Sequence, residues 1–330
     1  MASKDLRDQL SKQLTSAKNA VTTVRSSWND RENLAFTKLA NADQNTRKSR
    51  IREGSLSTIV LERSARTVAQ LPSGKVRPTS KADEGNCRII EMAIQRYVIP
   101  NANDQYPLQT KLFLIDFFSD VYGGLDVLSY WRVDDEYVGP DCQILTPRNC
   151  FWQAGKTSSQ KAEYVFVSTF VSKDWLLKKK KLKNWNAGAI DRVLKQVKDN
   201  GAKPTAREDV DRKSTNDVDK NTTQDFGDTT EFELVTKYER GKNGHWISFL
   251  PDYENEIIRD IKNPDPSGKL PVIRKEPILP MLDSIQGQGA IERGESLQKA
   301  IDSLLNLTHD GVKYAILRDD DLLAVLPPLQ

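Results

Sequence analysis

The stretch from Leu6 to Trp28 constrains the fold more than any other. Leu6, Leu10, Leu14, Ala17, Val21, Val24 and Trp28 recur at steps of four, four, three, four, three and four residues. On a helix those steps hold one narrow apolar stripe on one face for about seven turns. So regular a stripe predicts a partner helix, from this chain or from a neighbour.

Three more helices follow. In "SLSTIVLERSARTVAQLP", Leu56, Ile59, Val60, Val68 and Leu71 fall mainly on one side, with Arg63 and Arg66 among them, and Pro72 ends the run. "CRIIEMAIQRYVIP" closes at Pro100, and "LQTKLFLIDFFSDVYGG" closes at Gly123-Gly124.

The texture then changes. "DVLSYWRVDDEYVG", "CQILTPRNCFW" and "AEYVFVSTFVS" are short, rich in β-branched and aromatic residues, and separated by Gly-Pro and Thr-Pro breaks. They predict strands of a small sheet. "KDWLLKKKKLKNWNAGAIDRVLKQVKDNG" predicts one helix stopped by Gly201. Residues 202–230 hold almost no large apolar groups, so they predict a mobile loop or linker. "EFELVTKYER" and "GHWISFLPD" predict a hairpin turned by the Asn-Gly of "GKNG". A proline-rich connector, "NPDPSGKLPVIRKEPILP", leads to a final long helix. Helices, then strands, then a helix make the fold class α+β and not doubly wound.

Composition narrows the functional classes. No run of eighteen apolar residues exists to span a membrane, and the charged N-terminus has no secretory apolar segment. Cys87, Cys142 and Cys150 are odd in number and widely spaced, which predicts reduced thiols in a cytosolic setting. His245 and His309 are the only histidines and lie far from those cysteines in sequence, so no metal site is expected. A net charge of +3 does not by itself signal nucleic-acid binding. The charge is concentrated, however, in Arg47, Lys48, Arg50 and Arg52, and in Lys178, Lys179, Lys180 and Lys181 followed by Lys183.

Apparent catalytic motifs fail on spacing. Gly155-Lys156-Thr157 would close a P-loop, but the required earlier glycine position holds Cys150. Gly287, Gly289 and Gly294 place the third glycine too late for a dinucleotide fingerprint, and the prolines before them make a poor central strand. Asp134-Asp135-Glu136 and Asp319-Asp320-Asp321 are contiguous acids that point in different directions and read as solvated turns. No catalytic residue, cofactor or metal is therefore expected.

In the last helix Leu297, Ala300, Ile301, Leu304 and Leu305 form an apolar set. Gln298, Asp302, Asn306, His309, Asp310 and Lys313 recur on the other side. Side chains that both donate and accept suit a face packed on polar surface, as between identical subunits.

Several segments, in order, resemble portal proteins of tailed bacteriophages. "SSWNDRENLAFTKLANADQNTRKSRIREGSLSTIVLERSARTVAQLPSGKVRP" is similar to the portal N-terminal region. "LFLIDFFSDVYGGLDVLSYWRV" with "YVGPDCQILTPRNCFWQAG" resembles the wing, and "EFELVTKYERGKNGHWISFLPDYENEIIRDIKNPDPSGKLPVI" the hairpin after it. "PILPMLDSIQGQGAIERGESLQKAIDSLLNLTHDGVKYA" resembles the glycine hinge and the helix beyond it, with Gln298, Asn306 and Asp310 in place.

The resemblance implies a portal-like fold with an N-terminal helical region at 1–80, an α/β wing at 81–275, and a hinge and stem-directed helix at 276–330. It implies a ring, usually dodecameric, at one capsid vertex, with double-stranded DNA passing through without sequence reading. The implied partners are terminase, scaffolding or major capsid protein, and head-completion or tail-adaptor proteins. The implied locations are the virion and, during assembly, the host cytoplasm; the family is not enzymatic. The chain stops at "DDDLLAVLPPLQ", where a portal would begin its clip before the second stem helix and crown, so a fragment is expected.

On this reading Gln298, Asp302, Asn306, His309 and Asp310 are candidate subunit contacts, and Gly287, Gly289 and Gly294 a candidate hinge. The two basic runs are candidate partner or peripheral DNA contacts. The competing reading is a soluble adaptor or non-sequence-specific nucleic-acid-binding module that uses those runs.

Overall fold

The computed structural model describes residues 4–37, 53–69, 75–77, 84–93, 108–133, 138–200, 231–276 and 285–325. Four helices come first: α1 (Lys4–Ala35), α2 (Ser55–Val68), α3 (Glu84–Ala93) and α4 (Leu108–Tyr122). Strands β1 (Leu125–Val133), β2 (Val138–Leu145), β3 (Cys150–Trp152) and β4 (Tyr164–Ser172) follow. Then come α5 (Lys173–Lys180), α6 (Ala187–Asn200), β5 (Glu231–Glu239), β6 (His245–Leu250), β7 (Glu256–Lys262) and β8 (Val272–Lys275). The last element is α7 (Ala290–Val325). The fold is α+β, as the order of textures predicts.

The strands form two antiparallel sheets instead of one. Their orders are β2-β1-β8 and β3-β4-β5-β6-β7. Alternation along β4 joins two cores: Phe166 packs with Phe249 and Ile257, while Val165 and Val167 pack with Leu145 and Val272 on the opposite face. A third core puts Leu176 of α5 and Ile190 and Val193 of α6 against Phe232, Leu250 and Ile258.

The stripe of α1 is buried as expected, but no single partner helix covers it. Leu10, Leu14 and Ala17 lie on the five-stranded sheet with Phe151, Phe166 and Phe249. Val21, Trp28, Leu34 and Ala35 lie in a helical core with Val60, Phe117, Val121 and Ile291. Trp28 is fully buried, edge-on to Tyr122 at 5.7 Å between ring centroids.

Other expectations change as well. The single helix expected over 173–201 is two. Asn186 Oδ1 accepts from Ala189 N at 3.1 Å and so starts α6 afresh. Trp185, in the break, turns its ring edge-on to Trp175 at 5.2 Å. The β5–β6 connection places its left-handed residue at Gly241, with φ 102°, and not in the Asn-Gly pair. Gly241 N donates to Gly268 O at 2.8 Å, so a second loop dictates the turn. β8 lies hidden in the proline-rich connector, and as an edge strand it tolerates its flanking Pro271. β7 has no counterpart in the sequence reading. Ile59 of α2, assigned to the apolar side, is exposed. The loop expected at 202–230 and the cluster Asp134-Asp135-Glu136 lie outside the described residues.

Candidate assembly interface

α7 starts in a narrow backbone seat. Gly287 N donates to Gly123 O at 3.0 Å, and a Cβ on Gly123 would come within 1.9 Å of Gly287 O. A Cβ on Gly289 would lie 2.0 Å from Asp120 O, and one on Gly294 would lie 2.5 Å from the Leu56 side chain. The three glycines of the expected hinge are therefore places of close approach. The left-handed residues sit across from them: Gly123, with φ 76°, and Gly124, with φ 125°, end α4.

Charged groups brace this seat. Arg31 of α1 pairs with Glu292 at 2.8 Å. Arg63 of α2 donates to both oxygens of the buried Asp120, at 3.0 and 2.8 Å. Burial pushes the Asp120 carboxyl above the usual aspartate range, against the pull of Arg63. Arg274 and Asp126 form a fully buried pair at 2.8 Å. Arg274 also donates to Gln286 Oε1 at 2.7 Å, and Trp152 Nε1 donates to Asp126 at 2.9 Å. Such a pair is stable only with its remaining lone pairs and protons satisfied, and here Gln286 and Trp152 take up part of them.

Two expected subunit contacts do a job inside the chain. Gly54 precedes α2 and offers no side-chain cap. Gln298 Oε1 instead accepts from Leu56 N at 3.2 Å, while its Nε2 donates to Glu53 O at 2.6 Å and to Asp302 Oδ1 at 2.9 Å. Asp302 Oδ1 also accepts from Glu53 N at 2.9 Å. Glu53 accepts from the backbone N–H and the hydroxyl of Ser55, and these bonds hold its carboxyl below the usual glutamate range. One turn of α7 thus caps α2 from a distance in sequence. Gln298 is only 3% exposed, so the neighbour expected to meet it is α2 of the same chain. Asn306 Nδ2 donates back to Asp302 O at 2.8 Å; His309 and Asp310 lie farther along the helix.

The consequence is an inversion. With Ile291 and Gln298 turned inward, Leu297, Ala300, Leu304 and Leu307 fall on the opposite side at steps of three, four and three. Leu297, Leu304 and Leu307 are 66%, 65% and 69% exposed. A Cβ at Gly311 would meet nothing within 4 Å. At 1.5 Å per residue the 36 residues of α7 run about 54 Å, and among its described side chains the deeply buried ones, Ile291 and Gln298, come from the first three turns. A second exposed apolar group, Trp131, Val138 and Ile273, lies on the three-stranded sheet. Sequence periodicity could find the stripe of α7 but not which side of the helix docks.

The structure does not gather the remaining candidates into one site. Arg47, Lys48, Arg50 and Arg52 lie outside the described residues. In the lysine run, Lys180 pairs with Asp191 at 2.6 Å, and Lys179 lies over the rings of Trp175 and Trp185 at 5.2 and 5.9 Å. Lys178 and Lys181 are exposed. Lys156 lies 3.5 Å from Glu163 in the loop between β3 and β4. All three cysteines are free, and among the described residues no group of acids, histidines and cysteines is placed to hold a metal. No helix among them is long and apolar enough to cross a membrane.

These features define an α+β chain with an open apolar face on α7. The chain matches no family model and no curated protein.

Proposed function

We propose that this chain is a structural, non-catalytic subunit of a portal ring in a tailed bacteriophage. Identical copies enclose the channel through which double-stranded DNA is packaged and later ejected. Terminase, scaffolding or major capsid protein, and head-completion or tail-adaptor proteins dock on that ring. The subunit acts at the capsid vertex of the virion, after assembly in the host cytoplasm.

Two things support this reading: the order of portal-like segments along the chain, and an α+β architecture ending in a long helix. The observation that carries it is the stripe Leu297, Ala300, Leu304 and Leu307, apolar and open on α7. Exposed apolar surface of this regularity marks an interaction site. The occupant is another copy of the chain. A closed ring needs a head-to-tail contact between two different faces of one subunit. Trp131, Val138 and Ile273 supply a second apolar face, distinct from the stripe.

Light scattering and negative-stain imaging test the proposal. Oligomers that grow with concentration are expected, and Leu304→Glu with Leu307→Glu should reduce them to monomer without shifting the melting curve. A monomer over the micromolar to millimolar range removes the self-contact of the stripe, the observation that carries this reading. A monomer whose DNA affinity falls steeply with salt would favour the adaptor reading instead.

A further inference from the structure

A cleft of about 560 Å³ opens between the start of α1, strand β7 and the turn before α6. Four basic residues, Arg7, Lys183, Arg192 and Arg259, line it against two carboxylates, Glu256 and Asp260. Two of the cations are already committed. Arg7 Nη2 meets Glu256 Oε2 at 2.7 Å, and Arg192 holds the other oxygen of that carboxylate. Asp260 faces His245 Nδ1 at 2.8 Å.

Arg259 and Lys183 are left over. Neither forms an ion pair among the described residues, and Arg259 Nε is buried without a hydrogen-bond partner. The Arg259 guanidinium lies 5.4 Å from the centroid of the Trp185 ring. Burial lowers the pKa of Arg259, so its charge sits where an anion would relieve it. β7 is an edge strand, and Asn186 N takes up its Ile258 carbonyl at 2.8 Å, which fixes the Trp185 turn against the strand.

We propose that this cleft binds a nucleotide, free or as one unit of a nucleic-acid strand, with its phosphate on Arg259 and Lys183. A guanidinium presents paired donors that match a phosphate, and a lysine adds a mobile point charge. The Arg7–Glu256–Arg192 clamp ties α1, β7 and α6 together at the cleft. The volume falls in the range of small-molecule sites, about 300–1,000 Å³, and exceeds the needs of phosphate alone. The base lies along the apolar part of the lining, Leu6, Ile257 and Ile261, beside the Trp185 turn, since apolar and aromatic side chains both accept the face of a base. This assignment is independent of the ring.

Calorimetry on the whole chain tests it with AMP, inorganic phosphate, a short oligothymidylate and an oligoglutamate peptide. AMP is expected to bind in the micromolar to low millimolar range, and phosphate to compete with it. Arg259→Gln should weaken AMP by about tenfold or more, and the exposed Lys183→Gln by about threefold. Lys183→Gln decides the matter if Arg259→Gln does not fold. Displacement of AMP by oligothymidylate identifies a nucleic-acid strand as the source, and its failure identifies a free nucleotide. No binding of AMP at about 5 mM overturns the proposal, as does AMP affinity unchanged in the folded variants, or tighter binding of the peptide.

Discussion

Among the described residues α1 and α7 are the two longest helices, of 32 and 36 residues, and both carry an apolar stripe. They settle that stripe in opposite ways. α1 lays Leu10, Leu14, Ala17, Val21 and Trp28 against two successive cores, so apolar burial holds it. α7 turns Gln298 and Asp302 inward and keeps Leu297, Leu304 and Leu307 outside. Glycine contacts, one buried isoleucine and polar bonds to α2 hold it instead. Amphipathicity says that a helix has two sides. Which side faces home depends on what the neighbouring elements leave unsatisfied, and α2 needed a cap.

The contrast predicts a graded response to mutation. Trp28→Ala should be the most damaging, at about 3–5 kcal/mol, because a large fully buried side chain leaves a cavity between helices. The urea midpoint reads this, and a loss no greater than that of a surface change would mean the α1 stripe is not what anchors it. Gly289→Ala should follow at about 1–3 kcal/mol, since the new methyl meets the Asp120 backbone carbonyl and not a side chain that can move. An unchanged midpoint would show that the seat of α7 is loose. Gln298→Ala should lower stability by about 1–2 kcal/mol through the lost α2 cap and leave oligomer size untouched. If oligomer size changes and stability does not, Gln298 serves a neighbour after all. Smallest in its effect on stability is Leu304→Glu, within about 0.5 kcal/mol, because its side chain is already in solvent.

Much of the fold was legible in the chain itself. The period of α1, the double-glycine stop of α4 and the β-branched and aromatic run of β4 each follow from short-range chemistry, and each element appears where its pattern lies. What escaped had long-range causes. β8 is four residues in a proline-rich run and exists because β1 offers an edge. At the α5–α6 break Asn186 N reaches the Ile258 carbonyl of β7, and the β5–β6 turn follows a bond from Gly241 to Gly268. The Arg259 cleft had no sequence signal at all. Its walls come from residues near 7, 185, 192 and 259, which only the fold brings together.

By itself, then, the sequence determined most helices, most strands and the α+β class, because propensity, periodicity and punctuation act over a few residues. It also determined that α7 would have one polar and one apolar side. Only the tertiary structure decided that the polar side is the docked one. The Leu56 N–H and the Glu53 backbone groups needed partners, and those partners lie some 240 residues away on Gln298 and Asp302. An unsatisfied polar group beside a packed helix start is costly to leave, whereas exposed leucines can wait for a neighbour.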